Sequence, residues 1–398
     1  MPAVRQSAAT IGLLLAVGCR PPLVKLAPAP ALAAVDSAAI ETTVFLIGDA
    51  GHATPQDRVL GELVRQGREA TRPSVIVFLG DNVYPRGVPP DTAATFPDAR
   101  NRLFVQARVG EKTGLRTIFI PGNHDWERQG SAGWANVQRQ GILLRKFADS
   151  TGAKVELMPG AGCPGPVVTD LGRQARLIAV DTPWWLQRGA RPGREAPGAR
   201  RTMMPDPDVV CPMDTEAMVL DSLRTIHRDT ARRIGIMVGH HPLDTHGEHG
   251  GYHPWMQYVF PLVPTPIASW LWVPIGWIYP LGRKLVGHPQ DLAGAANRAM
   301  RKAIEGTFSA ESPLIYAAGH DHSLEVMRRG PGRFYLVSGS GSEDHQSAVG
   351  RGPTTAFASR RPGFIRIDVM RDGRVRLGVT TLAPDGRSQE SYQAWIKE

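Results

Sequence analysis

The sequence has no internal repeat, no visible second domain boundary and no apolar run that suits a helix across a membrane. A chain of 398 residues can bury a large core, so the missing boundary favours a single domain. The net charge is +9, but the positive residues do not have the pattern of a nucleic-acid-binding groove. The main arginine cluster lies among Gly and Pro without interleaved aromatic residues. We expect this cluster to be a solvated loop; it comprises Arg188, Arg191, Arg194, Arg200 and Arg201.

Cysteine is scarce, and the first of the three residues is informative by its position. Cys19 ends a short apolar run that follows Arg5 and is too short to span a bilayer. The Gly-Cys ending resembles a bacterial lipoprotein signal peptide over residues 1–19, followed by a Pro/Ala-rich linker over residues 20–40. An ordinary signal-peptidase site near residues 31–33 is the alternative. Both interpretations predict export to a bacterial periplasm or cell envelope, and the first adds a lipid anchor on Cys19.

The rest of the chain, residues 41–398, alternates apolar strand-like runs with amphipathic helical segments. This alternation predicts an α/β fold, a layered β-sandwich flanked by helices that forms a single catalytic domain. The predicted strands cover 42–47, 75–79, 117–120, 176–180, 234–238 and 314–318, with closing antiparallel strands at 334–337, 363–369 and 375–381. The predicted helices cover 56–66, 101–109 and 215–227.

Two stretches interrupt this pattern and are interpreted as insertions, at about 184–214 and 254–285. The first is rich in Pro, Gly and Arg and contains Cys211, which could pair with Cys163 in an oxidising compartment. The second includes an aromatic stretch, residues 255–280, without a charged side chain. Its prolines argue against a continuous membrane-spanning helix. Two interpretations remain: the aromatic side chains pack onto the domain, or they form a patch that contacts the membrane interface.

Polar side chains with metal-binding donors follow five of the predicted strands. Glycine precedes the donor at each turn and lets the backbone turn sharply and approach a ligand closely. Such ligands gather at the carboxyl ends of strands in open α/β sheets. Mixed imidazole, carboxylate, amide and phenolate donors suit iron, manganese or zinc rather than calcium, and their number predicts two metal ions sharing a carboxylate. The donors are Asp49, then Asp81 with Tyr84, then Asn123 with His124, then His240, then His320 with His322.

With these motifs in this order, residues 44–340 resemble the calcineurin-like metallophosphoesterases and, within them, the purple acid phosphatases. The marks of that branch are Gly-Asp-x-Gly at residues 48–51 and the tyrosine of Gly-Asp-Asn-Val-Tyr at residues 80–84. Gly-Glu-His-Gly at residues 247–250 and the strand at 335–341 resemble the small tartrate-resistant type. One departure is Ala50, where that type usually has a tryptophan beside the metal site.

The resemblance implies a role for each donor. Asp49, Tyr84 and His322 would hold the first ion, with Asp81 bridging, and Asn123, His240 and His320 would hold the second. Iron is expected at the tyrosine-bound position, where the phenolate would give a charge-transfer colour, with iron, zinc or manganese at the second.

His124 and His249 remain as candidates for the catalytic work on the substrate. The family's matching histidines hold the phosphate and can protonate the leaving oxygen, and imidazole suits that task near neutral pH. The expected function is hydrolysis of phosphomonoesters by in-line attack of a metal-activated hydroxide, as in an acid phosphatase. A phosphodiesterase or pyrophosphatase acting on nucleotide or lipid-linked substrates is the alternative, and a non-catalytic surface binding module is a third.

Other polar residues are expected to support the site rather than to act in it. We expect Asp125 to orient His124, Asp181 to brace its own turn, and His52 to be a loop residue. Three further histidines follow the fifth strand, where they would line the pocket or face solvent: His241, His246 and His253.

Overall fold

The computed structural model describes residues 32–33, 35–71, 73–194, 204–229, 233–253, 288–330 and 332–398. The expected signal peptide with Cys19, most of the linker and the aromatic stretch 255–280 lie outside the described residues. Within the described ranges, no helix is both long and apolar enough to cross a membrane.

The domain is built around two mixed sheets, each with seven strands in the part of the chain that is described. The strands in chain order are β1 (Ile40–Ile47), β2 (Val75–Phe78), β3 (Arg116–Phe119), β4 (Val155–Leu157), β5 (Val167–Leu171), β6 (Ala175–Ala179), β7 (Ile234–Val238), β8 (Ile315–Ala318), β9 (Leu324–Arg328), β10 (Phe334–Ser338), β11 (Thr355–Ser359), β12 (Gly363–Met370), β13 (Val375–Leu382) and β14 (Ser388–Lys397).

The first sheet has the strand order β14-β13-β12-β1-β2-β3-β4, and the second has β11-β9-β10-β8-β7-β6-β5. Strands β1 to β4 run parallel, as do β6, β7, β8 and β10 in the second sheet. The flanking strands pair antiparallel, with β12 beside β1 and β9 beside β10. Because parallel strands end at the same edge of a sheet, this order collects the strand-end motifs at one place.

Helices cover the outer faces of both sheets. They are α1 (Arg58–Glu69), α2 (Phe96–Thr113), α3 (Gly133–Thr151), α4 (Thr182–Leu186), α5 (Glu216–Asp229) and α6 (Ala295–Glu305). Helix α1 begins after Asp57, whose carboxylate accepts hydrogen bonds from the backbone N–H groups of Val59 and Leu60. Helix α2 ends at Gly114, which adopts the left-handed conformation with φ 66°.

Strict alternation of side chains along the strands separates the apolar layers. In β1, Val44 and Leu46 face the core between the two sheets, whereas Phe45 and Ile47 pack against α1, α2 and α3. A third apolar cluster lies between the second sheet and α4, α5 and α6. The result is a four-layer domain, helix-sheet-sheet-helix, and the predicted α/β fold class is confirmed.

The first predicted insertion differs from the expected solvated loop. Its first residues form the end of α4, with Trp184 fully buried. Arg191, expected in solvent, is only 7% exposed and lies 3.6 Å from the centre of the Trp184 ring. Farther along, Cys211 is bonded to Cys163 with their Cα atoms 5.5 Å apart. The described parts of the segment, residues 184–194 and 204–214, are therefore anchored to the domain through the Trp184 contact of Arg191 and the disulfide of Cys211, whereas Arg200 and Arg201 of the predicted cluster lie outside the described residues.

Candidate metal centre

The polar strand ends meet where the carboxyl edges of the two sheets approach each other. The N–H of Gly48, after β1, donates to the carbonyl of Ser338 in the second sheet at 2.7 Å. In the opposite direction, His240 after β7 donates its Nδ1–H to the carbonyl of Leu79 at 2.9 Å. These bonds fix the two edges against each other, so that five motifs distant in sequence surround one volume.

Three of the donor residues adopt a left-handed backbone that is uncommon outside glycine. Asp49 has φ 57°, Asp81 has φ 53° and His320 has φ 71°. Each is held there by backbone contacts; for example, the N–H of His320 donates to Asp49 Oδ2 at 2.8 Å. Strain of this kind persists only where the surroundings over-determine it, and it clusters at functional sites.

The first group of donors is formed by Asp49, Tyr84 and His322. The hydroxyl of Tyr84 donates to Asp49 Oδ1 at 3.1 Å and lies 3.2 Å from His322 Nε2. His322 Nε2 is 3.4 Å from Asp49 Oδ1. The three residues that the resemblance assigns to the first ion therefore lie together.

The second group is formed by Asn123, His240 and His320, and Asp81 lies between the groups. Asn123 Oδ1 is 2.8 Å from His240 Nε2 and 3.0 Å from His320 Nδ1. His240 Nε2 is 3.4 Å from Asp81 Oδ1, and donor atoms of Asp49, Asp81 and His240 lie within 4.8 Å of one another. The structure thus brings all of the predicted ligands together in the predicted division.

The donor set fits a pair of transition-metal ions. Burial raises the pKa of Asp49 well above its ordinary value, since a carboxylate away from water is disfavoured without a cation. Burial lowers the pKa of His322 to about 4, so this imidazole is neutral and can serve as a ligand. His320 Nε2 is buried without a hydrogen-bond partner among the described residues. Buried oxygen and imidazole donors of this mixture suit iron, zinc or manganese.

Glycine is required beside the donors because the backbones touch. A Cβ atom on Gly122 would lie 2.0 Å from the backbone nitrogen of Asp81 and 2.2 Å from its Oδ1. A Cβ atom on Gly319 would lie 2.4 Å from Asp49 Oδ2. Both glycines therefore serve close approach to the carboxylates, as expected for glycine at strand ends next to a ligand.

A cavity of about 300 Å³ opens beside the donors, and both predicted catalytic histidines line it. The Nδ1–H of His124 donates to the carbonyl of Pro85 at 2.7 Å, and its backbone N–H donates to Asp81 Oδ1 at 2.8 Å. The ring of His249 lies 3.8 Å, centre to centre, from the ring of His320. The cavity is lined by Asp81, Asn123, His124, Arg128, His249, His288, Gln290, His320 and His322.

Comparison with known proteins gives the family. The family model of the calcineurin-like phosphoesterases matches residues 42–264, more than half of the chain. The chain belongs to the calcineurin-like phosphoesterase family. The matched range carries the motifs from Asp49 to His249, whereas His320 and His322 reach the site of this phosphoesterase through the second sheet.

Two solved structures are similar to this chain at low sequence identity. GAP50, described as the anchor in the inner membrane complex of Plasmodium, is 14% identical with a TM-score of 0.54, covering 90% of this chain and 89% of that one. The purple acid phosphatase PPD1 from yellow lupin (Lupinus luteus) seeds is 13% identical with a TM-score of 0.46, covering 88% of this chain and 53% of that one. No curated protein matches the sequence.

One supporting residue of this calcineurin-like phosphoesterase has a different task from the expected one. Among the described residues, the hydrogen bonds of the Asp125 carboxylate go to Asn82, Val83 and Gly122 and not to the ring of His124. Asp125 accepts hydrogen bonds from the backbone N–H groups of Gly122 at 2.7 Å and Val83 at 3.1 Å, and from the side chain of Asn82 at 3.0 Å. Asp125 therefore fixes the turn that carries Asp81, because a buried carboxylate needs several donors.

Two other supporting residues can be compared with their expected tasks. Asp181 accepts from the backbone N–H of Trp184 and from the indole of Trp126, both at 2.9 Å, so it caps its own turn as predicted. His52 lies in the turn after β1, yet its ring stacks on Tyr84 with 4.4 Å between the centres. His52 is therefore a direct neighbour of the metal centre of this phosphoesterase.

The three further histidines are not among the described residues that line the cavity, although the ring of His241 lies 4.5 Å from that of His320. His241 is fully buried and lies 3.0 Å from the hydroxyl of Thr182 through its Nδ1. The backbone N–H of His246 donates to Glu325, and His253 is buried.

Several neighbours of the site could not be predicted from the sequence. The ring of His345 lies 3.9 Å from that of His322. His288 and Gln290 line the cavity, and Asp291 contacts His249. None of these residues follows a predicted strand, so the strand-end signal that identified the ligands does not apply to them.

Proposed function

We propose that this member of the family is an exported, dinuclear-metal phosphoester hydrolase that cleaves phosphomonoesters, as an acid phosphatase does. The observation that carries this proposal is the division of the donors into two groups around Asp81, beside a cavity that holds two further imidazoles. A structural ion pair or a buried polar core would not need an open cavity at its centre.

Two bound metal ions would supply charge neutralisation at the phosphate and lower the pKa of water so that it attacks as a nucleophile near neutral pH. The chain supplies the remaining parts. His124 lines the cavity and would hold phosphate oxygens, and Arg128, which also lines it, adds a positive charge. In the reaction, the water oxygen forms a bond to phosphorus while the bond to the leaving oxygen breaks. That oxygen keeps the electron pair and accepts a proton from His249.

Tyr84 supports the purple acid phosphatase branch and iron at the first position. Its hydroxyl is directed at Asp49 and His322, the two other donors of that group, and the side chain is 4% exposed. A buried phenol with these neighbours has a raised pKa when no cation is present, because burial and the Asp49 carboxylate both disfavour the phenolate. A trivalent ion would reverse this preference. Iron, zinc or manganese is proposed for the second position.

The experiment compares esters that share one leaving group. We expect the purified protein to hydrolyse 4-nitrophenyl phosphate with a higher kcat/KM than bis(4-nitrophenyl) phosphate. Asp81→Ala should lose activity and metal together, whereas His249→Ala should lose turnover and keep its metal. A preference for the diester would favour the phosphodiesterase alternative, and full activity of His249→Ala would remove His249 from the mechanism.

A non-catalytic binding module is the second candidate function, and one observation favours it. The GAP50 chain, described as an anchor, shares this fold over most of its length. The intact donor set argues for turnover here, because a module without chemistry has no need of seven convergent ligands. Two metal ions per chain without hydrolysis of either ester would favour this second candidate.

Location at the cell envelope is part of the proposal. The disulfide between Cys163 and Cys211 is typical of a chain that matures in an oxidising compartment. Lipid attachment at Cys19 predicts that Cys19→Ala moves the protein from the membrane fraction to the soluble one. If residues 255–280 add a membrane contact, their deletion should weaken liposome binding by the unacylated domain, and equal binding would rule this out.

A further inference from the structure

We propose that Asp291 is a positioning residue that aims the imidazole of His249 at the leaving oxygen of the substrate. This inference rests on the proposed function. Asp291 Oδ1 lies 2.8 Å from His249 Nδ1, and Asp291 is 3% exposed. A carboxylate can only accept in this contact, so Nδ1 carries the hydrogen and donates it. Charge-assisted bonds of this length are stronger and more directional than neutral ones.

Asp291 is itself held firmly, which a positioning residue requires. Its second oxygen, Oδ2, accepts from the backbone N–H of His288 at 3.0 Å. The backbone N–H of Leu292 donates to the carbonyl of His249 at 2.9 Å, so the two segments are joined by backbone as well as by side chain. The turn continues into α6, where Asn297 donates to the carbonyl of Gln290 at 2.8 Å. The carboxylate is therefore fixed to a helix rather than to a loose loop.

Two carboxylates divide the work of placing His249. Asp321, between two predicted metal ligands, accepts from the backbone N–H of His249 at 3.0 Å and fixes where the residue stands. Asp291 then fixes the direction of the ring. With Nδ1 turned to Asp291, the opposite nitrogen, Nε2, is on the other edge of a ring that lines the cavity and lies 3.8 Å from the ring of His320. With the ring in its protonated form, Nδ1 keeps the hydrogen that is bonded to Asp291, and Nε2 would give the second hydrogen to the leaving oxygen as a proton.

The other cavity histidine provides a contrast within the same site. The Nδ1–H of His124 donates to the uncharged carbonyl of Pro85, whereas that of His249 donates to a carboxylate. A carbonyl is enough to hold a residue that contacts phosphate. A charged acceptor gives a stronger hydrogen bond than an uncharged one. This suits a proton donor, because proton transfer in the transition state requires a fixed geometry. The structure thus assigns proton donation to His249 and phosphate contact to His124.

The test compares Asp291→Asn and Asp291→Ala on two monoesters, 4-nitrophenyl phosphate and glycerol 2-phosphate. An alkyl leaving group depends on protonation, whereas 4-nitrophenolate leaves readily without it. We expect kcat on glycerol 2-phosphate to fall by about 10-fold or more in both variants, with kcat on 4-nitrophenyl phosphate and both KM values within about 3-fold. Metal content should remain that of the native protein. Asparagine preserves size and the bond to His288, so a merely structural role would be rescued in Asp291→Asn.

A double variant and a matched control complete the experiment. His249→Ala combined with Asp291→Ala should be no slower on glycerol 2-phosphate than His249→Ala alone, because Asp291 acts through that ring. Asp368→Asn is the control: this carboxylate is also buried and bonded to a side chain, the Thr43 hydroxyl at 2.6 Å, but it belongs to β12 and does not contact the site. We expect no change in the ratio of the two kcat values for Asp368→Asn.

The outcomes separate this inference from the proposed function. The positioning role would be overturned if Asp291→Asn lowered kcat equally on both esters. It would also be overturned if adding Asp291→Ala to His249→Ala lowered kcat as much as Asp291→Ala does in the native protein. Absence of turnover by the native protein on either ester would instead overturn the proposed function. Thermal unfolding monitored by circular dichroism identifies a variant that fails to fold. If Asp291→Ala fails to fold, the kcat values of Asp291→Asn on the two esters decide whether Asp291 positions His249.

Discussion

Gly122→Ala adds one methyl group at the tightest backbone contact of the proposed metal centre. The new Cβ would lie 2.0 Å from the backbone nitrogen of Asp81 and 2.2 Å from its Oδ1, and contacts below 3.0 Å require a shift. The neighbours are backbone and a buried carboxylate, not the end of a flexible side chain. To remove this clash, Asp81 must therefore move by about 1 Å, the difference between 3.0 and 2.0 Å. Asp81 is the donor that both groups share.

A misplacement of about 1 Å in a reacting constellation costs on the order of 10²-fold in rate. We expect Gly122→Ala to lower kcat/KM on 4-nitrophenyl phosphate by about 100-fold or more, and to lower the metal content found by elemental analysis. Gly61→Ala is the matched control, since Gly61 is exposed on α1 and a Cβ there meets nothing within 4 Å. That control should keep full activity and gain about 1 kcal/mol of stability. Near-native activity and metal content in Gly122→Ala would refute the reasoning.

Two further predictions concern stability. Cys211→Ser opens a bond that closes a loop with a sequence separation of 48, which corresponds to a loss of about 4 kcal/mol in the free energy of unfolding. Urea unfolding measures it, and a loss below about 1 kcal/mol would contradict the assignment. Burial lowers the pKa of His227 to about 4 from 6.5, so the unfolded chain binds the proton first and stability falls as pH drops from 6.5 towards 4, by about 3 kcal/mol in total. His227→Gln should have a flatter pH dependence over that window, and an unchanged slope would contradict the burial argument.

The fold class and the central strands followed from the sequence because these strands are short, apolar and β-branched. Strand β7 (Ile234–Val238) was predicted with its observed bounds, and β1 to β3 within two residues. Strand β14 was not predicted, because Ser388–Lys397 is a polar edge strand with partial burial. Helix α3 was also missed: Gly133 and Gly141 lie within it, and its long, broad apolar surface does not give a clean stripe.

The candidate ligands were accessible to sequence reasoning because each one directly follows a strand and a glycine-containing turn. Residues that contact the site from a segment distant in sequence have no such sequence signal. Asp291 lies 42 positions after His249 and reaches it through a turn before α6. Asp125 was assigned to the wrong neighbour, since the choice between the ring of His124 and the turn around Asn82 depends on side-chain direction. Neither composition nor spacing contains that information.

We propose that Tyr84 and its neighbours hold an iron ion in a two-metal centre. Metal analysis combined with the visible absorption spectrum of the pure protein tests it most directly. We predict two metal ions per chain and a visible charge-transfer band that disappears in Tyr84→Phe. An iron-containing protein without such a band, or a band that persists in Tyr84→Phe, would contradict the claim.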